Sequence, residues 1–221
     1  MDFRESIAFN TEDLKGFQNF AALFPSLPQT DKHFFTIKTI GTSNHLYFKG
    51  ETVEIDSFYN KEKREETRYR NKSPNGVYRK FENGVKTREG RYVDGIEEGY
   101  WVYRYGNGII SNEGNYINGK RDGLWVGKFG NGVNSYEVEY SNGARDGICR
   151  RFYASGIIKD EGRYSNELEE GYWTFRYING IVWREGNYVD GKLEGEWIER
   201  NENGEIKSIK NYHNGKRISS R

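Results

Sequence analysis

The sequence predicts a mainly β protein: a single-layer twisted antiparallel ribbon of six tandem 24-residue β-hairpins behind an N-terminal α+β capping region. Three observations predict it. Gly99, Gly123, Gly147, Gly171 and Gly195 recur at intervals of 24, and Gly76 precedes them by 23. A fixed period of this length is the signature of a repeat architecture. Columns of rings recur in register with those glycines. Composition agrees: 27 glycines against 3 prolines in 221 residues ask for many tight turns in regular structure, and aromatics at 16% within a hydrophobic share of 34% mean a core built largely from rings.

The N-terminal region is taken as 1–75. Leu14, Phe17, Ala21 and Phe24 recur at helical spacing, Asn10 and Thr11 offer N-caps, and Pro25 and Pro28 end the pattern. This predicts a short amphipathic helix over 11–23. With Lys15 as its cation, it is read as a cap on the open end of the repeat sheet in preference to a partner-binding or membrane-surface helix. Residues 33–59, including HFFTIKTI and ETVEIDSFYN, read as strands feeding the array. KEKREETRYRNKSP, 61–74, carries six cations and three acids and is closed by Pro74. It reads as a solvated charged linker or long hairpin loop rather than a phosphate contact.

The array is taken as 76–218, with 219–221 as a tail. With each repeating glycine as position zero, plus two holds Trp101, Trp125, Trp173 and Trp197, with Cys149 in the fourth copy. Plus fourteen holds Glu113, Glu137, Glu161 and Glu185, with Ile209 in the sixth; plus seventeen holds Tyr116, Tyr140, Tyr164, Tyr188 and Tyr212. Each copy reads as two strands joined by a glycine turn, with facing positions summing to seventeen. Trp101 then faces Gly114 and Trp173 faces Gly186, so each ring is expected to cover the glycine of its own hairpin. Parity puts plus two, six, eleven and seventeen on the core face: Trp101, Tyr105, Ile110, Tyr116, and likewise Trp173, Tyr177, Val182, Tyr188. Plus five and fourteen share the other face, pairing Arg104 with Glu113, Lys128 with Glu137 and Arg176 with Glu185. Six hairpins give twelve strands.

The units GYWVYRYGNGIISNEGNYINGKRDG and GYWTFRYINGIVWREGNYVDGKLEG resemble MORN repeats, in particular the bacterial MORN-type variant of YwqK-like antitoxin repeat proteins. The resemblance runs from Gly76 to Ile218. It implies hairpin repeats that act in protein contact, in membrane-associated scaffolding or in neutralising a toxin, and it marks no catalytic residue. The chain departs from the pattern at Cys149, Glu167, Ile209 and the short first copy.

Charge excludes other classes. Lys+Arg number 34 and Asp+Glu 33, for a net +1, so no global field gathers nucleic acid or anionic lipid, and neither is expected as a partner. The start MDFRESIAFN has no apolar stretch of a signal peptide, and no run of about 18 apolar residues suggests a span. A soluble, reducing, cytoplasmic setting is the expectation. One cysteine forms no internal disulfide; His33, His45 and His213 show no metal-ligand spacing. The glutamate column reads as a salt-paired face rather than as paired acids, and Cys149 as a packing thiol rather than a nucleophile. No catalytic residue, cofactor or metal is expected.

The outer charge pattern breaks in one place. Phe152 replaces a cation in the fourth copy, Trp183 stands near Tyr172 and Arg176 in the fifth, and Ile198 and Ile209 enter the sixth. An apolar, aromatic patch with an arginine has the composition of a contact surface, and Trp183 is placed on it, opposite the core. The same patch would equally suit cover by the N-terminal segment. The expected role is a non-enzymatic protein-binding repeat module, first as an antitoxin or immunity-like neutraliser of a partner. A structural scaffold, with or without membrane contact, is the second reading.

Overall fold

In the computed structural model the backbone is described at 35–40, 43–48, 57–58, 63–66, 69–70 and throughout 73–218, with side chains described at 73–218. The helix expected over 11–23 lies outside the described residues. All regular structure among them is β. β1 (Phe35–Ile40), β2 (Ser43–Phe48) and β3 (Ser57–Phe58) form a three-stranded sheet within the region expected to hold strands. β4 (Lys63–Glu66), inside the charged stretch, pairs antiparallel with β7 (Gly76–Glu82) and becomes the first strand of the main sheet. β5 (Tyr69–Arg70) and β6 (Ser73–Pro74) pair with each other.

The six hairpins follow in order. They are β7 with β8 (Val85–Val93), β9 (Ile96–Arg104) with β10 (Ile110–Ile117), β11 (Lys120–Lys128) with β12 (Asn134–Ser141), β13 (Ala144–Phe152) with β14 (Ile158–Ser165), β15 (Leu168–Arg176) with β16 (Val182–Val189), and β17 (Lys192–Arg200) with β18 (Ile206–His213). β19 (Lys216–Ile218) closes a 14-stranded antiparallel sheet in which sequential strands are neighbours from β7 to β19. The sheet therefore has two strands more than the hairpin count predicts, and thirteen gaps of about 4.8 Å make it roughly 60 Å long.

Turn chemistry sets the alternation. At one end Asn118 and Gly119 adopt φ of 50° and 73° between the paired residues Ile117 and Lys120, the two-residue turn that Asn-Gly favours because both positions need positive φ. Each such turn hangs on the preceding one: Gly119 N–H donates to Glu97 O at 3.0 Å and Gly143 N–H to Arg121 O at 2.9 Å. At the other end the glycine loops are stacked by side chains. Tyr105 Oη donates to Lys128 O at 2.7 Å, and Asn131 Nδ2 donates to Ala154 O at 3.0 Å.

The predicted register inside each hairpin is present, with Trp101 opposite Gly114 and Trp173 opposite Gly186. The rings do not lie where that register suggests. Trp125 covers Gly114, Trp173 covers Gly162 and Trp197 covers Gly186, so each indole lies over the glycine of the preceding hairpin; a Cβ there would overlap the ring. The cause is a bulge at each junction. Between β10 and β11 the register jumps past Gly114, and Gly123, inside the bulge, takes a φ of 69°, a conformation that suits glycine. In three of the four the indole N–H then reaches the preceding strand: Trp125 Nε1 donates to Asn115 O at 2.9 Å, Trp173 Nε1 to Arg163 O at 3.1 Å and Trp197 Nε1 to Asn187 O at 3.0 Å, while Trp101 Nε1 has no hydrogen-bond partner among the described residues.

These contacts bury Trp101, Trp125, Trp173 and Trp197 to 1% exposure or less in a single layer. Glycine lies beneath each ring and a tyrosine meets it edge-on, as with Tyr116 and Trp125 at 4.9 Å and Tyr188 and Trp197 at 5.0 Å. Guanidinium groups lie over three of them: Arg88 over Trp101 at 4.5 Å, Arg121 over Trp125 at 4.2 Å and Arg184 over Trp197 at 4.4 Å. The expected core stripe is corrected in part. Plus four joins it, since Tyr103 stacks on Trp101 and Phe175 on Trp173, whereas Tyr105 at plus six is exposed and Tyr177 uses its hydroxyl to bond Arg200 O.

Candidate protein-binding surfaces

The face opposite the indoles is built on a charge column, and its pairs also run between hairpins. Arg104 bonds Glu89 at 2.6 Å, Arg176 bonds Glu161 at 2.8 Å and Arg200 bonds Glu185 at 2.5 Å, each cation reaching the glutamate of the hairpin before it. This corrects the expected pairing of Arg104 with Glu113 and Arg176 with Glu185. The reason is the register shift inside each hairpin, between Ile110 and Asn112 for example, which inserts a residue between the two side chains on that side. Lys128 is linked to Glu137 through Asn134, with Lys128 Nζ donating to Asn134 Oδ1 and Asn134 Nδ2 to Glu137 Oε1, both at 2.8 Å.

The six residues singled out in the sequence separate accordingly. Phe152 is half-buried, and the cation it displaces has moved two residues: Arg150 reaches Glu161 at 3.4 Å and Glu137 at 3.8 Å, so the charge column is not broken there. Arg176 is engaged by Glu161. Ile198 and Ile209 face each other in register, and Tyr172 and Ile209 are exposed. Ile209 occupies a glutamate position in the sixth hairpin, within β18.

Trp183 is on the other face. Its ring lies 5.9 Å from Phe175 and 6.3 Å from Tyr177, and Phe175 stacks on the buried Trp173. Trp183 is the unpaired residue of the bulge between Val182 and Arg184; a bulged residue leaves the period-two alternation on which the parity assignment rested. The six residues therefore do not make one patch.

A longer stripe crosses the outer face. Val77, Tyr100, Leu124, Ile148 and Tyr172 all stand at plus one, on five successive hairpins, and each is between 43 and 54% exposed. Hairpins repeat every two strands, about 9.6 Å, so the stripe runs roughly 40 Å. Beside it stand Val102, Val126, Thr174 and Ile198 at plus three. The signal was legible in the spacing, since each of the five plus-one residues directly follows a repeat glycine, Gly76, Gly99, Gly123, Gly147 or Gly171.

On the indole face the array has one gap. Val138 and Cys149 take the places of a glycine and a tryptophan, and beside them lies an open hollow of about 270 Å³ lined also by Tyr136, Tyr140, Tyr164, Arg121, Arg145 and Arg151. Asp160, buried, is held by Arg151 Nε at 2.5 Å. Arg145 pairs with Glu167 at 2.6 Å and lies over Tyr164 at 4.0 Å. Burial pushes the Cys149 thiol up to about 11, against a smaller opposing effect of Arg151, and pushes Tyr164 up to about 12. A protonated, buried thiol is a packing group and a poor nucleophile. Among the described residues no three His, Cys, Asp or Glu side chains are grouped to hold a metal ion, and no helix is long and apolar enough to cross a membrane.

No curated protein is significantly similar in sequence to the chain. Two windows, residues 145–166 and 193–214, match the family model described as a MORN repeat variant; they begin at Arg145 and Leu193, two periods apart at the same point of the frame, so the array contains MORN-type repeats.

Proposed function

We propose that the chain is a protein-binding repeat module, not an enzyme, which docks a partner along the apolar stripe of its outer face. The observation that carries this reading is the row of Val77, Tyr100, Leu124, Ile148 and Tyr172, exposed together on successive hairpins. An apolar row of this length is larger than the scattered apolar residues of an ordinary surface, and it is rimmed by paired charges, the composition of a contact surface. The narrower proposal is neutralisation of a toxin-like protein; the resemblance of the repeat units is what supports it.

The test is a quantitative capture from the source cell's lysate with the full chain, its Leu124→Glu and Tyr172→Glu variants, and Lys159→Ala as an exposed control beside the other face. A partner held by wild type and Lys159→Ala should bind each glutamate variant at least about thirtyfold more weakly, about 2 kcal/mol. Thermal midpoints should stay close to wild type. Equal capture by all four proteins would reject the stripe. A one-to-one complex that blocks the partner's activity would favour neutralisation, and a stoichiometric multi-subunit assembly would favour scaffolding.

A further inference from the structure

The gap at Val138 and Cys149 keeps the surroundings that elsewhere receive an indole. Tyr140 and Tyr164 both stand at plus seventeen: Tyr140 where Tyr116 and Tyr188 meet the next hairpin's Trp125 and Trp197 edge-on, and Tyr164, which itself meets Trp173 edge-on at 5.1 Å, where Tyr116 and Tyr188 flank Trp101 and Trp173 of their own hairpins at 6.2 and 6.1 Å. Arg121 lies beside it, already stacked on Trp125 at 4.2 Å. Val138 and Cys149 are both buried and give the hollow an apolar floor. Together they lack the breadth of an indole, and the hollow of about 270 Å³ opens where that ring would lie.

The charges around it are unequal. Arg151 is matched by Asp160 and Arg145 by Glu167. Arg121 has no carboxylate partner among the described residues; it donates to Tyr140 Oη at 3.4 Å. One guanidinium is thus left to attract an anion beside a cradle of tyrosine edges, while a basic ligand would meet three arginines.

We propose that this hollow binds a single aromatic side chain from an acidic segment of a partner protein, the ring taking the place of the missing indole and a neighbouring carboxylate pairing with Arg121. The proposal rests on the reading of the chain as a protein-binding module but uses the opposite face, so its failure leaves the test on Leu124 and Tyr172 standing. An aromatic anchor in a pocket with an arginine at its edge is the arrangement that dominates contact energetics, and the charge-assisted bond supplies direction.

The probe is an acetylated, amidated pentapeptide with a central fluorotryptophan between pairs of glutamates, titrated into the full chain and followed by fluorine NMR. Wild type should show saturable binding. Val138→Gly with Cys149→Trp rebuilds the ring-over-glycine pair and fills the hollow; it should keep the thermal midpoint and lose affinity by about tenfold or more. Arg121→Gln, and a peptide with lysines for glutamates, should each weaken binding by a similar factor. Should the filled variant fail to fold, nuclear Overhauser contacts between the peptide ring and the rings of Tyr140 and Tyr164 in wild type take its place. No saturable binding at millimolar peptide, equal binding by the filled variant or the lysine peptide, or absence of those contacts at saturation would each overturn the proposal.

Discussion

Val138 and Cys149 are direct Cα partners across the junction of the third and fourth hairpins, at the two positions where the other four junctions set a glycine under a tryptophan. The substitution is reciprocal: where the large ring is lost, the residue beneath it gains a side chain. The ladder responds as well. At the tryptophan junctions the bulge skips the glycine, as it skips Gly162 between Glu161 and Arg163, whereas here pairing continues one residue further and the bulge falls between Val138 and Tyr140. Ile148 N–H, displaced from the ladder, donates to Glu139 Oε2 at 2.7 Å. Cohesion is therefore set junction by junction, by what one hairpin lays on the hairpin before it.

Trp183 tests where the bulge sends a side chain. Packed against Phe175 and Tyr177, it should stabilise the fifth hairpin, and Trp183→Ala should lower stability by about 1–2 kcal/mol in urea unfolding. Tyr172→Ala, on the outer face, should change it by less than about 0.5 kcal/mol. The reverse order would return Trp183 to the outer surface.

The period, the turns, the in-hairpin register and the absence of tryptophan at Cys149 were all legible in the sequence, because each depends on residue type at a fixed spacing. The direction in which a ring or a guanidinium leans was not. It depends on the positive-φ bulge glycines Gly99, Gly123, Gly171 and Gly195, which tip the indoles backward, and on the plus-twelve bulge that turns Trp183 over. Parity counting assumes an unbroken alternation and fails at both. The departure at Ile209 reads as an irregularity in the sequence; in the fold it is the cross-strand partner of Ile198 in the sixth hairpin, two apolar residues in register.

Glu167 gives the array an acid-sensitive link. It stands where other copies have glycine and adopts a φ of 72°. Its carboxylate is held below the usual range first by the Arg145 backbone N–H and then by the Arg145 guanidinium. A depressed folded-state pKa contributes stability that is present above the unfolded value of about 4.3 and is lost as pH falls through the folded value. Wild type should therefore lose slightly more stability than Glu167→Gln as pH falls below about 4.3, by less than about 1 kcal/mol because the pair is half-exposed. Parallel stability curves over that range would remove the link.

Cys149 should be silent toward thiol reagents. With its pKa near 11 and its side chain buried, the native chain at about pH 8 should react far more slowly with a disulfide reagent than the urea-unfolded chain, which should titrate one thiol at once. Equal rates would mean that the floor of the hollow opens to solvent.

A double-mutant cycle on Trp173 distinguishes coupling between hairpins from coupling within one. Gly162→Ala and Gly186→Ala should each cost about 2–3 kcal/mol by forcing a methyl into a covering ring. In a Trp173→Ala background, itself about 3–5 kcal/mol less stable, the Gly162→Ala cost should largely vanish, because Trp173 is the ring above it. The Gly186→Ala cost should persist, because its ring is Trp197. A coupling of about 2 kcal/mol between Trp173 and Gly162, with little between Trp173 and Gly186, is the result the account predicts. Coupling to Gly186 instead would contradict it and return each indole to the glycine of its own hairpin.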